Sequence, residues 1–196
     1  LHKFYGSFCA VKNLTFGVED DECFGLLGAN GAGKTTTFRV VTGEALCNFG
    51  KVVINGQPAG NVKAIGFCPQ FDALLEDLTG RETLRQRRRL SVGLAVISQA
   101  RVMLLDEPTA GIDPKTRRQI WDLLSAMRDK NCAMVLTSHS MEECEALCTR
   151  IGILLKGSFI ALGTPQHLKS KYVFSLLPHV YLDLDEGIHL ALHLKM

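Results

Sequence analysis

No apolar run in this chain approaches the about 18 consecutive residues that a membrane-spanning helix requires. The longest apolar stretches have the length of buried strands. No charged-then-apolar signal segment opens the sequence. Neither sign of charge dominates, since 22 Lys and Arg against 20 Asp and Glu leave a net charge of +2. Global charge therefore gives no reason to expect nucleic acid as a partner. Internal repeats and low-complexity segments are also missing, which excludes a repeat architecture. Seven cysteines, an odd number, suit free thiols in a reducing compartment rather than a disulfide framework. What remains is a soluble chain of 196 residues, long enough for one α/β domain with a substantial core.

The most informative stretch is Gly28-Ala29-Asn30-Gly31-Ala32-Gly33-Lys34-Thr35, a complete G-x-x-x-x-G-K-T phosphate-binding loop. An apolar strand, Cys23-Phe24-Gly25-Leu26-Leu27, leads into it. A helix-competent run from Thr36 to Val41 follows, and Gly43 is placed to end that helix. Glycines let successive backbone N–H groups turn inward toward phosphate oxygens, and the helix N-terminus adds partial positive charge. Lys34 is expected to reach the β- and γ-phosphates, and the Thr35 hydroxyl to ligate Mg²⁺.

Leu14, Phe16 and Val18 alternate with polar positions and predict a half-buried strand, turned by Glu19-Asp20-Asp21-Glu22. Lys51-Val52-Val53-Ile54 reads as a short strand closed by the Asn55-Gly56 turn. Further strands are expected at 64–68, at 102–105 and at 133–137. A helix should open at Pro114 and run to about Arg128, with Ile120, Trp121, Leu124 and Met127 on its apolar face. Another covers about 141–148, followed by a hairpin of 151–155 and 158–162 around Lys156-Gly157. Buried strands alternating with helices predict a mostly parallel sheet covered on both faces, with an antiparallel β portion near the N-terminus. Cys144 and Cys148 lie one turn apart on a helix and read as buried core residues; no fourth ligand accompanies them and His139.

The strand Val102-Met103-Leu104-Leu105 ends in Asp106-Glu107, a Walker B pattern. In a parallel sheet it would end at the ligand-binding edge beside the phosphate loop. Asp106 would then hold Mg²⁺, and Glu107 would polarise the attacking water. With this second constellation the chain resembles the nucleotide-binding domain of an ABC transporter, which implies a P-loop NTPase core of the ABC ATPase type. By that resemblance Gln70 matches the glutamine that contacts Mg²⁺ and the attacking water. Thr109-Ala110-Gly111-Ile112-Asp113-Pro114 matches the D-loop, His139 matches the switch histidine at the γ-phosphate, and Tyr5 matches the aromatic residue that stacks on adenine. The strings Glu22-Cys23-Phe24-Gly25-Leu26-Leu27-Gly28, Phe67-Cys68-Pro69-Gln70-Phe71-Asp72-Ala73-Leu74 and Thr137-Ser138-His139-Ser140-Met141-Glu142-Glu143-Cys144 are similar to subfamily A, the lipid exporters. The resemblance spans residues 1–172. It implies ATP and Mg²⁺ as ligands, transmembrane domains and a second nucleotide-binding domain as partners, a place on the cytosolic face of a membrane, and no nucleic acid.

Two departures stand out. Gln70 and Asp106 are 36 positions apart, whereas the family's interval is roughly twice as long. The difference corresponds to the helical subdomain and its signature loop, a Ser-Gly-Gly type sequence, so a deletion junction is expected near Leu84. In the family that loop closes over the ATP of a partner domain. Arg85, Arg87, Arg88 and Arg89, next to the junction, form a basic cluster that on its own suggests nucleic acid but in the family is a solvated helix start. Residues 173–196 also diverge. Val180–Leu184 and Ile188–Leu194 alternate about Asp185-Glu186-Gly187 as a hairpin would, with His189 and His193 as exposed strand residues. Three readings follow: an ATP-hydrolysing domain of a lipid exporter, a catalytically silent nucleotide-binding fragment or isoform, and a non-transport member of the superfamily acting on DNA or ribosomes.

Overall fold

A computed structural model describes residues 1–58, 65–69, 92–93 and 100–176, with side chains through residue 171. The chain begins with an antiparallel ribbon of β1 (Lys3–Tyr5) and β2 (Phe8–Val11), turned at Gly6 with φ 59°. β3 (Cys23–Leu27) is buried along its whole length and delivers the chain into the phosphate loop. α1 (Lys34–Val41) follows. Its end is as the sequence predicts: Gly43 takes φ 82° and its N–H returns to the Val40 carbonyl at 3.2 Å. A minimal hairpin, β4 (Val53–Ile54) and β5 (Gln57–Pro58), turns on Asn55-Gly56. Then come β6 (Ile65–Cys68), β7 (Val102–Asp106), α2 (Pro114–Arg128), β8 (Ala133–Ser138), α3 (Met141–Leu147), β9 (Arg150–Leu155), β10 (Ser158–Gly163) and α4 (Pro165–Leu176). α4 runs past residue 172, the boundary expected from the sequence.

The principal sheet has the order β10-β9-β3-β8-β7-β6. All its pairings are parallel except the β9–β10 hairpin at one edge. Alternate side chains of each strand enter opposite cores. Cys23, Leu27, Met103, Leu105, Met134 and Leu136 pack against Ile120 and Leu124 of α2 and Cys144 and Leu147 of α3. Phe24, Leu26, Leu104 and Val135 pack against Phe38 of α1 on the other side. Both faces being covered explains why these strands read as continuous apolar runs.

The expected strand at Leu14–Val18 does not form; the segment has no ladder partner. Its alternation is nevertheless real in burial, with Leu14 buried, Phe16 and Val18 half-buried, and Thr15 and Gly17 exposed. The reason is where it lies. Phe16 stacks on Phe24 of the inner strand β3, with centroids 4.8 Å apart and planes within 6°. A segment that crosses a sheet face satisfies apolar alternation without offering its backbone to an edge. Its recorded backbone pairing is with the chain's first residue: the Leu1 amino group donates to the Leu14 carbonyl at 2.8 Å, and Leu14 N–H to the Leu1 carbonyl at 3.1 Å.

Cys144 and Cys148 are buried, as expected. The Cys23 and Cys148 sulfurs sit 3.8 Å apart as free thiols. Hydrogen bonding to Cys144 and Cys23, followed by burial, pushes the Cys148 thiol well above the usual range.

Candidate functional site

β3, β7 and β8 all end at one edge of the sheet, and the register fixes how their last residues meet. Leu27 is paired with Ser138, and Asp106 with Thr137. The phosphate loop, Glu107 and His139 therefore leave the sheet side by side. β6 ends at the same edge, with Cys68 opposite Leu105. Gln70 itself, together with Leu84, the arginine cluster at 85–89 and the segment 177–196, lies outside the described residues.

Backbone packing from three directions shapes the loop. Gly28 N–H donates to the Ser138 carbonyl at 3.2 Å, and a Cβ at Gly28 would lie 2.6 Å from the Leu154 carbonyl oxygen. Gly33 has φ 106°, and a Cβ there would lie 2.8 Å from the carbonyl oxygen of Ala10 in β2. Behind the loop, Gly157 N–H donates to the Ala32 carbonyl at 2.9 Å, and Lys12 N–H to the Gly157 carbonyl at 2.7 Å. The β1–β2 ribbon and the β9–β10 turn thus brace the loop from outside. Its tip, Asn30 and Gly31, and the side chain of Thr35 are exposed; Ala32 is buried and Thr36 half-buried. Gly33 is the N-cap of α1 and supplies no side-chain cap. The first-turn amides of Lys34, Thr35 and Thr36 therefore have no acceptor within the helix, the arrangement that binds anions.

Lys34 is buried, and its ammonium folds back over the loop. Nζ donates to the Gly28 carbonyl at 2.6 Å and the Ala29 carbonyl at 3.2 Å, and lies 3.5 Å from Glu107 Oε1. The other carboxylate oxygen of Glu107 is 3.6 Å from Nδ1 of the exposed His139. Glu107 adopts φ 49°, a left-handed conformation that costs a residue with a side chain about 1–3 kcal/mol. Thr137 holds it there: Glu107 N–H reaches the Thr137 carbonyl at 3.2 Å and its hydroxyl at 3.0 Å. The same hydroxyl donates to the buried Asp106 carboxylate. Thr137 is thus a site residue that motif reading missed; a lone threonine within an apolar run carries no distinguishing signal.

Tyr5 ends β1 and is 44% exposed, leaving its ring available to a planar partner, with Lys3 Nζ 5.0 Å from the ring centroid. Asp113, in the stretch after β7, caps α2: its carboxylate accepts from Thr116 N–H at 3.1 Å and from the Thr116 hydroxyl at 2.9 Å.

A phosphate loop at the end of one parallel strand, faced across one intervening strand by Asp106 and the strained Glu107, defines a domain of the P-loop nucleotide-binding class. Comparison with known proteins narrows the class. A family model described as "ABC transporter" matches residues 11–86. The chain is 45% identical to ABC transporter ced-7 of Caenorhabditis elegans, covering 88% of this chain and 12% of that one. It is 43% identical to the human phospholipid-transporting ATPase ABCA3, covering 83% of this chain and 12% of that one. In fold it matches a solved ATP-binding subunit of an ABC transporter with a TM-score of 0.76 at 21% identity, over 88% of this chain and 91% of that one. A nucleotide-free ATP-binding cassette matches at TM-score 0.75 and 18% identity, over 89% of this chain and 92% of that one. The chain carries an ABC transporter nucleotide-binding domain of the subfamily A type. It spans about an eighth of the length of these two relatives (12% of each).

Proposed function

We propose that this chain binds Mg·ATP at the phosphate loop and represents the ATP-hydrolysing unit of a lipid-exporting transporter. The observation that carries the proposal is the buried Lys34 ammonium, held between the loop carbonyls and Glu107 at 3.5 Å. Loop amides and Lys34 would take the β- and γ-phosphates, and Tyr5 would stack on adenine. Glu107, fixed by Thr137, would orient and deprotonate the attacking water, with His139 and Gln70 beside the γ-phosphate. Hard oxygen donors suit Mg²⁺, and Thr35, Asp106 and Gln70 supply them. Bound there, the ion would neutralise phosphate charge. By likeness to its relatives the unit would sit on the cytosolic face of a membrane, joined to transmembrane domains and paired with a second nucleotide-binding domain.

A second reading has specific support: the chain as it stands binds nucleotide but is nearly silent in turnover. The family model stops at residue 86, beside the junction near Leu84. The alignment to the worm relative runs over 211 residues while drawing on 88% of a chain of 196. The relative therefore has residues that this chain lacks. If the lost segment is the signature loop, a cage element worth about 10²–10³ in rate is gone. Turnover by the 196-residue chain is expected at no more than about a hundredth of that of a version with the helical segment restored at Leu84. Glu107→Gln should abolish the restored activity and change the residual rate little. Equal turnover by the two proteins, abolished in both by Glu107→Gln, would reject the silent reading.

A further inference from the structure

We infer that Glu143 is a positioning residue that locks the loop carrying Glu107 to the loop carrying His139; the inference rests on the assignment of those two side chains to ATP chemistry. Glu143 is 4% exposed, on α3. Its Oε1 accepts from the Thr109 hydroxyl at 2.5 Å, and its Oε2 from the Ser138 hydroxyl at 2.6 Å. Both are close hydroxyl–carboxylate hydrogen bonds. Thr109 stands two positions after Glu107, and Ser138 immediately precedes His139. A single carboxylate therefore joins two loops whose catalytic candidates come within 3.6 Å of each other.

The sequence pattern suggests a plainer role, which the geometry only half supports. Ser140-Met141-Glu142-Glu143 is a capping box, in which the serine hydroxyl accepts from the glutamate N–H and the glutamate carboxylate reaches back to the serine N–H. The first half is present, with Glu143 N–H donating to Ser140 Oγ at 3.4 Å. The second half is replaced: Ser140 N–H donates instead to the Ser138 hydroxyl at 2.9 Å. The carboxylate is thereby released from capping its own helix and spent on Thr109, on a different element. Among the described residues no cation pairs with it. A buried carboxylate held by one hydroxyl from the loop after β7 and one from the last residue of β8 is a coupling element, because moving either segment strands a hydroxyl partner in the interior.

Two measurements test this, the first on the 196-residue chain itself. Backbone amide exchange without nucleotide reads the coupling directly. In Glu143→Gln, the amides of Glu107, Ala110 and Ile112 should exchange at least about tenfold faster, together with those of Ser140 and Cys144, while β3 is unchanged. Acceleration confined to Ser140 and Cys144 would mean that Glu143 only caps α3, and would overturn the inference. Single-turnover hydrolysis, read in the version with the helical segment restored at Leu84, where turnover depends on Glu107, reads the consequence. Glu143→Gln and Thr109→Val should each slow it about tenfold or more, with ATP affinity within about threefold of wild type. Their double variant should be no slower than the slower single. Thr109→Ser, which keeps the hydroxyl, should match wild type. Additive losses, or losses that track a fall in melting temperature and affect Thr109→Ser equally, would also overturn it. Failure of the wild-type chain to bind ATP would reject the proposed function instead, and the exchange measurement would still decide the role of Glu143.

Discussion

At the scale of single residues, the site is built from backbone strain and buried charge. Lys34 and Glu107 are both nearly sealed from solvent, so each depends on the other and on its hydrogen bonds. Their identities were legible in the sequence because the phosphate loop and the Asp-Glu strand end have fixed spacing. Thr137 and Glu143 were not. A motif names residues that touch the ligand, whereas these two act on such residues from neighbouring elements, and only the β7–β8 register and the start of α3 bring them there. Tyr5 is assigned by resemblance, and its exposure at the tip of the β1–β2 ribbon is compatible with stacking on a base. Tyr5→Ala should weaken ATP binding by about 1–3 kcal/mol, the range of base–aromatic stacking. Inorganic triphosphate binding, measured in parallel by calorimetry, should be nearly unchanged. Equal loss for both ligands would make Tyr5 a structural residue.

Among elements, the decisive arrangement is the convergence of β2, the phosphate loop and the β9–β10 turn. Ala10 sits at the junction: Cβ atoms at Gly33 and Gly157 would lie 2.8 Å and 2.6 Å from its carbonyl oxygen. The ribbon therefore both carries Tyr5 and braces the loop. Gly33→Ala combines a left-handed backbone with a clash against a neighbouring strand. Gly31→Ala has φ 79° but open space around the new carbon. Gly31→Ala should cost about 1–3 kcal/mol from strain alone, and Gly33→Ala clearly more. Thermal melts of the two variants check this; equal melting temperatures would show that the Ala10 contact yields freely. Most elements were legible in advance, including α1 with its Gly43 stop, α2 with Pro114 in its first turn, and the hairpin around Lys156-Gly157. Leu14–Val18 was misread because alternation reports burial on one side, not the presence of a hydrogen-bonding neighbour. Phe16 found its burial on the sheet face.

For the molecule as a whole, the sheet and its two cores place the phosphate loop, Asp106, Glu107 and His139 at one edge, while Tyr5 is carried by the separate β1–β2 ribbon. On the second reading proposed above, the outer closure of that site would depend on a helical segment that lies in the family between the positions of Gln70 and Asp106. On that reading binding and turnover should separate in this chain, since the phosphate loop and Lys34 would serve the first and the missing segment the second. The most direct test of the account is a calorimetric titration of the 196-residue chain with ATP in the presence of Mg²⁺, repeated with Lys34→Ala. The account predicts one site per chain, weakened by about 1.5–3 kcal/mol in Lys34→Ala, roughly tenfold or more in affinity, as loss of a charge-assisted contact to phosphate requires. A folded wild-type chain that takes up no ATP, or a Lys34→Ala variant that binds with undiminished affinity, would contradict it.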